Sequence, residues 1–404
     1  MHMQELCVEI SYELRMIKSH FANLFELGFR PFFLLATGFA ALAIILWIAM
    51  WSGEWQVTGP FSPVDWHIHE MLFGYSSAVI CGFLLTAVPN WTGLDPIKGW
   101  PLALAALLWL AGRGAVFGLT GLSNIWVMWI EGSFLASLAV VTAVQLIVSR
   151  NWRNLVVVGL VGLLLGADIW FHLEVNATGS TDASRRAGFA VIVLMIMVIG
   201  GRIIPVFTRN WLVAQRVTSL PRGFGRFDGL SLLVAVIAMG LWVAMIDHVI
   251  TALALVAASI MHLIRMSRWQ GLRVLRSAIL LMLHISYLCL VIGIALLSLP
   301  IVNPDFTQVA GLHVLGMGGI GGMTIAVMLR ASMGHTGRKL AAGPMLSVAF
   351  GLIIVAAFIR ALLPDISPAS ASGIVIAALM WVAGFVLIAI RVWPWLTRPR
   401  IGPS

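Results

Sequence analysis

Charge is scarce in this chain: Asp, Glu, Lys and Arg make up 10% of its 404 residues, against 60% hydrophobic. A soluble globular domain carries about 25% charged residues, so that class is excluded. Cysteine is scarce too. Cys7, Cys81 and Cys289 form no C-x-x-C pair, which excludes a disulfide framework, a zinc knuckle and a thioredoxin motif. C-x-x-C-H is also missing, so any haem would be held by ligation alone. The N-terminus carries Glu5, Glu9 and Glu13 without a small-residue cleavage site, so it does not read as a secretory signal. Gly316-Met317-Gly318-Gly319-Ile320-Gly321 spells G-x-G-x-x-G, but it follows no strand and sits inside an apolar run. A nucleotide site there is rejected, and helix packing is the favoured explanation.

What is present is a series of apolar runs, each long enough to cross a hydrocarbon core about 30 Å thick as a helix. Twelve are read, at 31–51, 66–88, 101–119, 125–148, 154–172, 186–207, 228–246, 249–265, 278–299, 306–329, 343–363 and 372–391. The fold class is an all-α polytopic membrane protein, a bundle of about twelve transmembrane helices. Residues 1–27 read as an amphipathic segment on the membrane surface, and 28–404 as a single transmembrane domain. Prolines mark several ends (Pro31, Pro89, Pro101, Pro300, Pro364), and the tight 247–248 link predicts an antiparallel hairpin.

The net charge of +9 follows topology and does not point to nucleic acid. Twenty of the 25 basic residues fall at alternate loops, from Arg15, Lys18 and Arg30 to Arg391, Arg398 and Arg400. The intervening loops 52–65, 120–124, 247–248, 300–305 and 364–371 have none. Both termini are therefore expected in the cytoplasm.

Orientation gives each histidine a depth. His67, His69, His172 and His313 fall toward the outer side, with Glu70, Glu131 and Asp168 at similar level. Ionisable groups at that depth are costly and usually functional. His67 and Glu70 share a helical face, whereas His69 lies about 200° from His67, so both imidazoles can bind one metal only if the helix starts at or after His67. Asp168 is spaced to hold the His172 ring. Such a set suits copper, non-haem iron or a haem axial bond, and its carboxylates can carry protons. Arg113, Arg185 and Arg186 can pair with anionic groups of a cofactor or neutralise Glu131, Glu174 and Asp182; the second reading is preferred.

Toward the inner side, His284 and Tyr287 share a face, Gly334-His335-Thr336-Gly337-Arg338 forms a glycine-flanked turn, and Arg202 and Arg330 lie at the matching edge. Gly200, Gly201 and Pro205 are expected to weaken or kink their helix.

These residues carry a resemblance to the NnrS family, bacterial membrane proteins linked to nitric oxide. The matching pieces are Gly28-Phe29-Arg30-Pro31-Phe32-Phe33, Trp66-His67-Ile68-His69-Glu70-Met71-Leu72-Phe73-Gly74, and Leu85-Thr86-Ala87-Val88-Pro89-Asn90-Trp91-Thr92-Gly93. The segment from Gly200 to Pro205 and the turn at Gly334–Arg338 complete it. The resemblance implies a twelve-helix inner-membrane protein carrying haem b and copper, made under nitrosative stress.

The leading expectation is a membrane protein that binds or turns over nitric oxide, which dissolves in the lipid bilayer. His313 is then a haem axial ligand, and His67, His69 and His172 form or support a copper site. Glu70, Glu131 and Asp168 supply protons if nitric oxide is reduced, with electrons from quinol or a redox partner. A second arrangement seats haem at His284 with His335, beside Arg202 and Tyr287. The competing classes are a secondary transporter and a non-enzymatic nitric oxide sensor or metal-binding protein.

Overall fold

A computed structural model describes residues 21–56, 58–363 and 368–402. The expected surface segment therefore lies almost wholly outside the described residues. Among the described residues, twelve helices are long and apolar enough to span a membrane, as the apolar runs predicted. They are α1 (Phe29–Trp51), α2 (Pro63–Thr92), α3 (Trp100–Phe117), α4 (Asn124–Val148), α5 (Trp152–Thr178) and α6 (Ala183–Ala214). The second half is α7 (Arg226–Ala244), α8 (Val249–Ser267), α9 (Ala278–Val302), α10 (Gln308–His335), α11 (Gly343–Leu362) and α12 (Gly373–Thr397).

Several helices outrun their apolar segments. Hydropathy marks the slab, whereas the hydrogen-bonded backbone continues into water, as α6 does through Arg209 and Asn210. The same helix passes Pro205 without a break, so the expected weakening at Gly200–Pro205 does not interrupt it.

Successive helices pack as neighbours, and α12 lies against both α11 and α1, which brings the first and last helices together. The most apolar windows of α2, α10 and α9 are 78%, 72% and 67% buried, against at most 50% for the other nine. Those three form the interior. Two of them change winding beside a histidine: π-helical turns cover Glu70–Tyr75, directly after His69, and Val314–Gly321, directly after His313. Such turns re-aim side chains and concentrate at functional sites.

The start of α2 decides where its histidines point. Ser62 caps the helix, its Oγ accepting from the Asp65 N–H at 3.2 Å, and Pro63 occupies the first turn. Helical winding is thus already set before His67.

Candidate metal centre and cofactor cavity

His69 is fully buried between three carboxylates. Its Nδ1 is 3.1 Å from Glu70 Oε1, and its Nε2 is 2.9 Å from Glu131 Oε2 and 3.2 Å from Asp168 Oδ1. His172 of α5 adds Nε2 at 3.1 Å from the same Glu131 oxygen. One ligand atom from each of His69, Glu131, Asp168 and His172 lies within 4.8 Å of the others. Both rings are held from behind. His69 is backed by Glu70, and the His172 Nδ1–H donates to Asn124 Oδ1 at 2.6 Å. The Asn124 amide nitrogen in turn donates to the His172 carbonyl at 2.9 Å, which turns its oxygen to the ring. Imidazoles anchored through one nitrogen with the other turned inward are the usual arrangement of histidine metal ligands.

Arg113 of α3 donates to Glu70 Oε1 at 2.6 Å and to Glu131 Oε1. Arg113 pairs with Glu70 and Glu131 while Asp168 faces His69, so with all three carboxylates ionised two negative charges are left over within low-dielectric surroundings. One divalent cation or two protonated imidazoles would balance them. Among the described residues, nothing hydrogen-bonds to the buried Glu70 Oε2 and Asp168 Oδ2. Phe61, Phe73 and Phe171 pack around the His69 ring at 4.7–5.3 Å between centroids and exclude water.

His67 does not join this group. With α2 wound from Pro63, it points to the opposite face, stacked on Trp47 at 4.5 Å, into a cavity of about 560 Å3. His313 of α10 lines the same cavity; its Nδ1–H donates to the Val309 carbonyl at 2.8 Å, so Nε2 carries the lone pair. Arg185 and Arg186 reach the cavity from α6, and Trp51, Trp242 and Trp381 supply aromatic wall. Among the described residues, four polar atoms at its edge are buried with no hydrogen-bond partner: His67 Nδ1, Trp47 Nε1, Trp242 Nε1 and Arg186 Nε.

Other expectations are redistributed. Asp168 hydrogen-bonds to His69 and not to His172, whose ring is held by Asn124, a residue with no sequence signal beyond its position at the head of α4. Arg113 does neutralise Glu131, while Arg185 and Arg186 pair with Asp182. Glu174 is satisfied by the N–H groups of Asp182, Ala183 and Ser184, where it caps α6, and not by an arginine.

On the inner side, His284 and His335 keep separate neighbours. His284 Nε2 is 3.0 Å from Thr208 Oγ1, whereas His335 packs on the Phe29 ring at 5.4 Å. Arg202 donates to Asn154 Oδ1 at 3.3 Å. Tyr287 belongs to a cluster that sequence reading missed. Arg265 Nη1 donates to Tyr287 Oη at 3.2 Å, and Tyr287 Oη donates to His262 Nδ1 at 2.7 Å. The His262 Nε2–H passes to the Ser231 carbonyl at 3.1 Å, and Arg265 Nε donates to Asp228 Oδ1 at 3.1 Å.

Fold and site together define a polytopic helical membrane protein with a buried histidine–carboxylate cluster beside a histidine-lined cavity. The family model described as NnrS protein matches residues 23–400, nearly the whole chain, and the chain belongs to that family, which is linked to the nitric oxide response. No curated protein matches the chain.

Proposed function

We infer that this protein is a haem- and copper-bearing membrane protein that binds or turns over nitric oxide in defence against nitrosative stress. One observation carries the reading. The capped start of α2 presents His67 to a cavity on one face and His69 to a four-ligand cluster on the other.

The residues present fit both groups. The cavity volume of about 560 Å3 lies within the roughly 300–1,000 Å3 of cofactor pockets. His313, with His67 across the same space, would hold haem b through its iron, and Arg185 and Arg186 would take the anionic propionates. His69, His172, Glu131 and Asp168 would hold copper, a nitrogen and oxygen donor set suited to its oxidised form. When bound there, haem would supply an iron able to take nitric oxide, and copper would supply a one-electron redox couple.

The protein's own groups do the rest. Phe61, Phe73 and Phe171 keep water from the cluster, and Asn124 and Glu70 fix its two imidazoles. Glu70 Oε2 and Asp168 Oδ2 are the oxygens placed to take up and release protons if the gas is reduced. Neutral, apolar nitric oxide concentrates in the bilayer, so a site buried among helices meets it where it dissolves. Electrons would come from quinol or a redox partner protein. The loop charges support a bacterial cytoplasmic membrane with both termini inside.

The test is an optical spectrum with metal analysis of the purified protein, before and after nitric oxide. A Soret band that shifts with the gas, copper near one equivalent, and loss of the band in His313→Ala are expected. Protein that is colourless and metal-free after expression with ample iron and copper would overturn the reading.

A further inference from the structure

A second, smaller hollow lies on the bilayer-facing surface. It holds about 70 Å3 and is walled by α2, α6 and α10, with Val79, Ile80, Ile196, Ile199 and Val327 among its apolar sides. Ile80, Ile196, Ile199 and Val327 are partly exposed, so the hollow opens toward lipid. Ile196 and Ile199 sit at the middle of α6, the level where a bilayer is most apolar.

The same three helices wall the large cavity. On α2 the cavity reaches Tyr75 and Ser76, and the crevice begins three residues on at Val79. On α10 the cavity reaches Ile320 and the crevice begins at Met323 and Thr324. On α6 Phe189 faces the cavity, and the crevice begins about two turns later. One turn is about 5.4 Å, so a thin partition separates the two spaces. A single hydrogen bond marks it: Tyr75 of the cavity wall and Thr324 of the crevice wall are 2.6 Å apart. The Ile320 and Gly321 carbonyls, each 2.8 Å away, take the proton of Thr324 Oγ1, which leaves the Tyr75 hydroxyl as the donor between the two side chains.

We propose that this crevice is the port by which a small uncharged diatomic gas passes from the bilayer into the cavity, through the partition held by Tyr75 and Thr324. Its volume is about half of the roughly 150 Å3 that admits benzene or xenon to an engineered apolar cavity. A lipid tail or quinone ring is too large for it, and its apolar walls give water nothing to bond. The identity of the gas rests on the nitric oxide reading above; the alignment of the two spaces does not.

Two measurements test the port. In crystals under xenon pressure, xenon is expected between Val79, Ile196 and Val327, whatever the cofactor content; an empty crevice overturns the proposal. In haem-bearing protein, Ile196→Trp should slow carbon monoxide association after flash photolysis by about tenfold and slow dissociation equally, leaving Kd unchanged. Val327→Trp should act in the same direction, and Thr324→Val, which frees the Tyr75 hydroxyl, should speed association. Leu253→Trp, on a lipid-facing position of α8 that is 65% exposed, should leave the rate unaltered. Haem-bearing Ile196→Trp and Val327→Trp that bind at the wild-type rate would overturn the port and spare the cofactor reading. Protein without haem would overturn the cofactor reading, and the xenon result would then decide the port alone.

Discussion

Two buried charge clusters stand at opposite ends of the bundle, and they differ in the sign of their excess charge and in what their histidines face. The outer one sets Glu70, Glu131 and Asp168 against Arg113 and leaves an excess of negative charge, with carboxylate oxygens that no described residue satisfies. The inner one sets Arg265 and Arg268 against Asp228 and so keeps an excess of positive charge, with Arg265 Nη2 and Arg268 Nε buried and unpartnered among the described residues. Its other hydrogen bonds run in a directed chain from Arg265 through Tyr287 and His262 to a backbone carbonyl. Its histidine has both nitrogens engaged within the protein. The outer cluster turns two imidazole nitrogens toward shared carboxylates, which is what a cation requires. The comparison teaches that burial of charge alone does not mark a site; an unmatched charge beside inward-facing lone pairs does.

The largest effect should separate the two by their response to metal. Arg113→Met strips the outer cluster of its only guanidinium, and Asp228→Asn strips the inner one of its only carboxylate. Each should cost about 3–5 kcal/mol, read by thermal unfolding in detergent. Added copper should recover part of that loss in Arg113→Met and none in Asp228→Asn. Equal recovery in both would erase the distinction. The wild-type protein itself should gain about 2.7 kcal/mol at a free metal concentration one hundred times Kd, a gain that His69→Ala and His172→Ala should lose together with bound metal.

A smaller effect sharpens the inner half. Gly201 of α6 has no side chain where Arg265 passes; a Cβ there would overlap the guanidinium. That guanidinium is pinned by Asp228, Tyr287 and the Met197 carbonyl, so it has no easy retreat. Gly201→Ala should cost about 1–3 kcal/mol while leaving bound metal unchanged. Loss of metal in that variant would show that the two clusters are coupled.

Much of this was legible in the sequence, and unevenly so. Twelve helices followed from apolar runs because the bilayer imposes length and composition on each crossing. Depth brought His69, Glu131, Asp168 and His172 to one level, and the structure has them in contact. The face was lost at His67, although Ser62-Pro63 is itself a legible helix start that fixes the winding before both histidines. Arg265 closes the apolar run 249–265, where a basic residue reads as a loop charge, yet it is fully buried, because its partners Asp228 and Tyr287 come from α7 and α9. Pairing between helices distant in sequence leaves no periodic trace. The π turns after His69 and His313 likewise follow from packing between helices and are invisible to any helical period.

The smallest expected effect lies outside the membrane, at the loop joining α5 to α6. Burial alone would raise the Asp182 carboxyl, but the hydrogen bond and charge of Arg186, joined by Arg185, hold it below the ordinary aspartate value. A depressed folded-state value means stability that is present above the unfolded value of about 3.9 and is lost as pH falls through the folded one. Asp182 is 60% exposed, so solvent screening limits the pair to less than about 1 kcal/mol. The stability difference between wild type and Asp182→Asn should stay constant from neutral pH down to about 4 and then vanish in stronger acid. Since Arg186 also borders the cavity, Asp182→Asn frees it to meet an anionic ligand, and haem content should hold or rise. A fall in haem content would show instead that Asp182 is needed to aim Arg186 at the cavity.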